Sequence, residues 1–111
     1  MLTKAELPEC PVVTTLQLMG NKWKIRILSN QMARPWRFSE MLRSIPGIRQ
    51  KVLTDSLRAL EKDRIIIREV FPEVPPGVEY ALSEPGESMR PIIKAMEARG
   101  SVYQRKVCES V

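Results

Sequence analysis

The 111-residue sequence contains no histidine. That absence removes the commonest general base together with the commonest transition-metal ligand, and it argues against enzymatic chemistry. Cysteine is scarce as well: Cys10 and Cys108 stand near opposite ends of the chain, and no Cys-x-x-Cys pair is present to seed a zinc site. Without an export signal, the two read as free or redox-active thiols rather than as an obligatory disulfide. The five glycines, Gly20, Gly47, Gly77, Gly86 and Gly100, are scattered, so there is no glycine-rich loop to cradle a phosphate. Met1 to Glu6 carries no apolar stretch of signal-peptide length, and no segment approaches the span of a bilayer. The expectation is a cytoplasmic protein with no membrane partner, no metal, no cofactor and no catalytic residues. No repeat, low-complexity tract or interdomain linker interrupts the chain, so one domain over residues 1–111 is expected, its core running from about 10 to 100.

What the chain does contain is ordinary globular patterning and a surplus of positive charge. Hydrophobic residues make up 43% and charged residues 28%, which excludes wholesale disorder. Lysine plus arginine number 18 against 13 aspartates and glutamates, and the formal charge of +5 points towards a polyanionic partner.

Cys10-Pro11 opens a first helix carrying Val12, Val13, Leu16 and Met19 at helical spacing, which stops at Gly20-Asn21. A second helix is expected over Lys22 to Gln31, with Trp23, Ile27 and Leu28 as its apolar stripe. Pro35 prevents its continuation, and Ala33 to Arg37 suits a short strand. A short helix through Phe38, Met41 and Leu42 follows, with Ser39 at its cap or in its first turn, and Pro46-Gly47 closes it. From Gln50 to Lys62, Leu53, Leu57 and Leu60 recur at i, i+4, i+7 with polar residues opposite, predicting an amphipathic helix. The β-branched run Arg64 to Phe71 and the alternating Val78 to Leu82 predict two strands. Pro72 to Gly77 joins them as a proline-stiffened projecting loop. Ser83 then caps a long helix with Met89, Ile92, Ile93 and Met96 on its apolar face, ending near Gly100, and a shorter helical tail covers Ser101 to about Cys108.

Helix, tight turn, amphipathic helix, hairpin is the element order of a winged helix-turn-helix, whose second helix enters a major groove about 12 Å wide. The fold class is therefore mainly α with a small β-hairpin (α+β), flanked by N- and C-terminal dimerisation helices. Burying Leu53, Leu57 and Leu60 leaves the opposite stripe of the Gln50–Lys62 helix free for double-stranded DNA. There Gln50 suits adenine or a phosphate, Lys51 and Arg58 suit phosphates or guanine, and Thr54 suits a thymine methyl or a backbone oxygen. Asp55 faces cytosine or solvent, and Arg68 suits a phosphate from the base of the wing. On composition alone the same residues also fit the solvated face of a surface helix; the adjacent wing favours DNA.

Cys10-Pro11, Gly20-Asn21-Lys22-Trp23, Arg37-Phe38-Ser39-Glu40, Ile45-Pro46-Gly47-Ile48, Gln50-Lys51-Val52-Leu53-Thr54, Leu57-Arg58-Ala59-Leu60-Glu61 and Pro72 through Ser83 occur in an order and spacing that resemble the HxlR family. The resemblance covers about Cys10 to Gly100 and implies a dimeric winged-helix transcriptional regulator. It places Gln50, Lys51, Thr54 and Arg58 on the recognition helix and Pro72 to Gly77 on the wing, with Lys22 and Arg37 as phosphate contacts. Trp23 and Phe38, also signature residues, belong to the core. Three positions depart from the family pattern. Arg49 stands where serine is usual, which removes a helix cap and adds a positive charge near the groove, so Arg49 joins the DNA contacts. Arg64 replaces the usual glycine, which argues against a left-handed C-cap there. Asn21 replaces a second glycine, in a left-handed conformation that asparagine tolerates.

A two-fold dimer reads both halves of an inverted repeat, so a homodimer is expected, with Val12, Val13, Leu16, Met89, Ile92, Ile93 and Met96 on its interface. Cys10 falls at the start of the first helix, a setting that suits thiol oxidation, and several relatives resemble sensors built on a cysteine there. Cys108 is the candidate resolving partner, within or between subunits, provided the Cα atoms come within about 7 Å. Two other readings stand beside this one: a winged-helix protein-interaction module without DNA binding, and a regulator responsive to a small-molecule effector.

Overall fold

The computed structural model describes residues 1–110. A 3-10 turn at Lys4–Glu6 precedes helix α1, Pro11–Met19, and helix α2, Lys22–Gln31. Gly20, with φ of 75°, turns the chain between them. Asn21 is not left-handed as expected; its φ is −93°, and its side-chain oxygen accepts the backbone N–H groups of Trp23 (3.0 Å) and Lys24 (3.2 Å). It N-caps α2, a role for which its short acceptor side chain is well suited.

Strand β1 (Trp36–Arg37) leads directly into α3 (Phe38–Ser44), and α4 spans Gln50–Lys62. Strands β2 (Ile66–Phe71) and β3 (Gly77–Leu82) form the hairpin. The short strand makes the hairpin a three-stranded antiparallel sheet in the order β1-β3-β2, pairing Trp36 with Tyr80 and Arg37 with Glu79. Within the hairpin Ile66 faces Leu82 and Phe71 faces Gly77, so the loop 72–76 projects from its tip.

The core forms where α4 meets the other elements. Leu53, Leu57 and Leu60 are buried with Ile27 and Leu28 of α2, Met41 of α3, Ile45 and Ile48 of the turn, and Ile66 of β2. Burying one such leucine contributes about 2 kcal/mol, so this stripe ties α4 rigidly to the body. Trp23 and Phe38 pack half-buried against the same cluster. Gln31 is a polar intrusion: its Nε2 reaches the Met41 sulfur at 3.5 Å, and its buried Oε1 has no protein partner.

Arg64 corrects the expectation drawn from its identity. It sits at φ 61°; the Ile65 N–H donates to the Leu60 carbonyl at 2.9 Å and the Arg64 N–H to that of Glu61 at 3.0 Å. This is a Schellman cap, with the Ile65 and Leu60 side chains buried beside it. The packing overrides a left-handed penalty of roughly 1–2 kcal/mol for an L-residue. Arg64→Gly is therefore expected to raise stability by about 0.5–1 kcal/mol, read as a higher urea midpoint at unchanged slope. The same cap delays the strand to Ile66, two residues later than expected.

The C-terminal helices also differ from expectation. Ser83 caps only a short helix, α5 (Glu84–Glu87), and the long helix α6 starts afresh at Arg90 and runs to Glu109. Pro91 explains the break: it has no N–H to donate and its ring clashes with the carbonyl four residues back, so it is accommodated only in a first turn. Gly100 does not end α6, and the expected separate tail is its continuation. Arg90 fastens the start of α6 by donating from Nη1 to the Met32 carbonyl at 2.6 Å. Ile93 is the only buried residue of α6, so its distal half projects from the body.

Candidate nucleic-acid interface

The outward side of α4 carries Gln50, Lys51, Asp55 and Arg58, all exposed, with Thr54 half-buried between them. Lys51, Asp55 and Arg58 follow one another at i, i+4, i+7 and so form one ridge. Lys51 is paired with Asp55 at 3.0 Å. Arg49 is the N-cap residue of α4, exposed, and makes no side-chain cap bond. Neither Arg49 nor Arg58 forms an ion pair among the described residues. Unpaired guanidinium groups at both ends of this ridge suit backbone phosphates or guanine edges.

Flanking groups widen the basic surface. Lys22, exposed, holds its ammonium 4.7 Å from the centre of the Trp23 ring. With Arg26 it lines a cleft of about 350 Å³ against Ile45 and Pro46 of the helix-turn-helix turn. Arg68 is exposed on β2 and lies 3.7 Å from Glu61, linking the wing to α4. Arg37 is placed differently from the other basic residues. Its guanidinium donates to both carboxylate oxygens of Glu73, at 2.8 and 3.0 Å, and lies 5.5 Å from the centre of the Phe71 ring. These bonds hold the Glu73 carboxyl below the usual carboxylate range and raise the guanidinium above its ordinary value, so both stay ionised. The Arg37 backbone N–H donates to Glu40 Oε1 at 2.9 Å and lowers that carboxyl too.

Of the residues expected on an interface between subunits, Val12, Val13, Leu16, Ile92 and Met96 are exposed, whereas Met89 and Ile93 are buried in the chain's own core. Helical spacing alone does not separate the two sides of such a stripe; α6 turns Ile93 inward and Ile92 outward. An apolar groove of about 590 Å³ between α1, the α4 cap and α6 includes Leu18, Ile65 and Ile92. Cys10 is exposed as the N-cap residue of α1, Cys108 is exposed near the end of α6, and both are free thiols. No group of side chains able to hold a metal ion occurs among the described residues, and no described helix is long and apolar enough to cross a membrane.

Sequence reasoning passed over Glu73, Phe71 and Arg26. Glu73 and Arg37 lie 36 residues apart, and only the β1–β3 pairing brings them together. Arg26 had a signal, since it follows Lys22 by one helical turn and shares its face.

Comparison with known proteins fits this geometry. The HxlR-like helix-turn-helix family model matches residues 18–107. The chain is 43% identical over 98 residues to the uncharacterized HTH-type transcriptional regulator YdeP of Bacillus subtilis, covering 88% of this chain and 77% of that one. It is 46% identical over 94 residues to an uncharacterized HTH-type transcriptional regulator of Methanothermobacter thermautotrophicus, covering 85% and 72%. Among solved structures, the redox regulator HypR in its reduced form superposes with a TM-score of 0.83 at 42% identity, covering 92% of this chain and all of that one. Reduced YodB from B. subtilis, described as a transcriptional regulator, gives a TM-score of 0.72 at 36% identity, covering 82% and 90%. With the winged-helix architecture and this match across most of its length, the chain belongs to the HxlR-like helix-turn-helix family of transcriptional regulators.

Proposed function

We propose that the protein is a sequence-specific DNA-binding regulator that acts as a homodimer on an inverted repeat. The observation that carries this reading is α4: its leucine stripe is buried, and its opposite ridge presents Arg49, Gln50, Lys51, Thr54, Asp55 and Arg58 beside a projecting wing. Lys22 and Arg68 supply phosphate contacts at the flanks. The exposed apolar residues of α1 and α6 are the surfaces a second copy covers. A salt titration tests the reading. Binding dominated by phosphates weakens log-linearly with a slope near −0.9 per neutralised phosphate, whereas a flat response or no DNA affinity overturns it.

Arg49 offers a sharper test because it has two separable roles. Arg49→Ser is expected to stabilise α4 by about 1 kcal/mol, through a restored cap, while weakening DNA binding. Urea unfolding and a DNA titration on the same variant read the two effects independently.

Thiol oxidation is the proposed control. HypR, 42% identical, is described as a redox regulator, and Cys10 here is exposed at the start of a helix next to the proposed interface. A two-electron oxidant such as diamide takes two electrons and two protons from Cys10 and Cys108, joining their sulfurs within or between subunits. Operator affinity is expected to change on diamide treatment and to stay constant in Cys10→Ser; unchanged binding in the parent protein sinks the idea.

A further inference from the structure

Arg37 stands at the start of the helix-turn-helix, yet its solvent-exposed guanidinium is committed to an ion pair rather than left free. Both of its terminal nitrogens are bound to Glu73, its plane neighbours the Phe71 ring, and Glu79 is its cross-strand partner. Glu73 belongs to the wing loop, whereas Arg37 immediately precedes α3, the first helix of the helix-turn-helix. The ion pair therefore spans from the helix-turn-helix to the wing. Gly77 makes room for it: a Cβ at that position would lie 2.6 Å from Arg37 Nη1 and 2.9 Å from Glu73 Oε2. Gly77 has no left-handed backbone to explain its identity. Space for the fork explains it.

We infer that Arg37 and Glu73 form a latch that holds the wing in its DNA-reading position, and that Arg37 is a positioning residue rather than a phosphate contact. This rests on the proposed DNA-binding role. Its electrostatic consequence is opposite to that of a phosphate contact. If Arg37 served the phosphates directly, neutralising Glu73 would release a cation and tighten binding. As a latch, losing Glu73 loosens the wing and weakens binding, even though a negative charge has left the interface.

Three variants separate these cases: Glu73→Gln removes the acceptor charge, Gly77→Ala opens the pair sterically without touching charge, and Arg37→Lys keeps the charge but loses the two-pronged fork. Each is expected to lower operator affinity about three- to tenfold, the usual cost of ordering a loop that was previously preorganised. The salt slope should stay that of the parent protein, because no phosphate contact is gained or lost. Tighter binding by Glu73→Gln with a slope steeper by about one contact, or unchanged affinity in Glu73→Gln and Gly77→Ala, overturns the latch. A parent protein without DNA affinity would instead refute the underlying reading. The latch is then judged in free protein, where exchange of the wing-loop amides at positions 73, 74 and 77, each relative to its intrinsic rate, should quicken in Glu73→Gln and Gly77→Ala, and equal exchange rejects it.

Discussion

Replacing Gly86 with alanine is expected to destabilise the protein by about 3 kcal/mol, the upper part of the range for inserting atoms into a packed site. An added Cβ would lie 2.1 Å from the Ile65 carbonyl oxygen and 3.2 Å from Leu82 Cδ2. A long flexible side chain could retreat from such a contact, but a backbone carbonyl in a network cannot. The Ile65 oxygen accepts the Ser83 N–H at 3.0 Å and lies 2.8 Å from the Ser83 hydroxyl, while the Gly86 N–H donates to that hydroxyl at 3.1 Å. Ile65 is also the closing residue of the α4 cap. One methyl group thus pushes on the end of α4, the exit of β3 and the start of α5 together. Urea unfolding followed by circular dichroism measures the loss; a shift under about 1 kcal/mol would show that the junction yields more easily than its bonds imply.

On the proposed dimer, Met96→Glu should weaken DNA binding more than any other single change outside α4. Met96 is 44% exposed on α6, so the isolated subunit tolerates a carboxylate there. Ile92, Ala95 and Gly100 lie on the same face with Arg99 beside them, and nothing lies within 4 Å of where a Gly100 Cβ would be, leaving a largely apolar surface open to close approach. In a two-fold interface the substitution acts twice, and taking a carboxylate out of water costs several kcal/mol, which the neighbouring Arg99 offsets only in part. Operator affinity should fall on the order of a hundredfold, in step with a change from dimer to monomer in sedimentation, while the melting temperature of the subunit fold changes little. A variant that stays dimeric would move the interface away from this face of α6.

The helix that carries the candidate site was the most legible part of the chain. Leu53, Leu57 and Leu60 repeat at helical spacing, and the structure buries all three while exposing Gln50, Lys51, Asp55 and Arg58. Local chemistry was legible where one residue dominates, as at Pro11 and Gly20, and it misled where neighbours override a preference. Arg64 is left-handed because the Leu60–Ile65 cap and its burial hold it there, and Asn21 caps because its acceptor meets two free N–H groups. The break between α5 and α6 was readable from Pro91, which a stripe of apolar residues obscured. The Arg37–Glu73 pair was not readable, because it depends on strand register and on space left by Gly77, neither of which has a local signal. The side of α6 that faces its own core was equally hidden, so Met89 and Ile93 looked like interface residues until packing placed them inside.

The account's central claim, a two-fold dimer that reads DNA with α4, is tested most directly by selecting bound sequences from a random duplex pool. It predicts an inverted repeat whose half-sites are centred about one helical turn, or a multiple of it, apart, with Arg58→Ala relaxing one base position symmetrically in both halves. Recovery of no common sequence, or of a single unrepeated site that Arg58→Ala leaves unaltered, would contradict it.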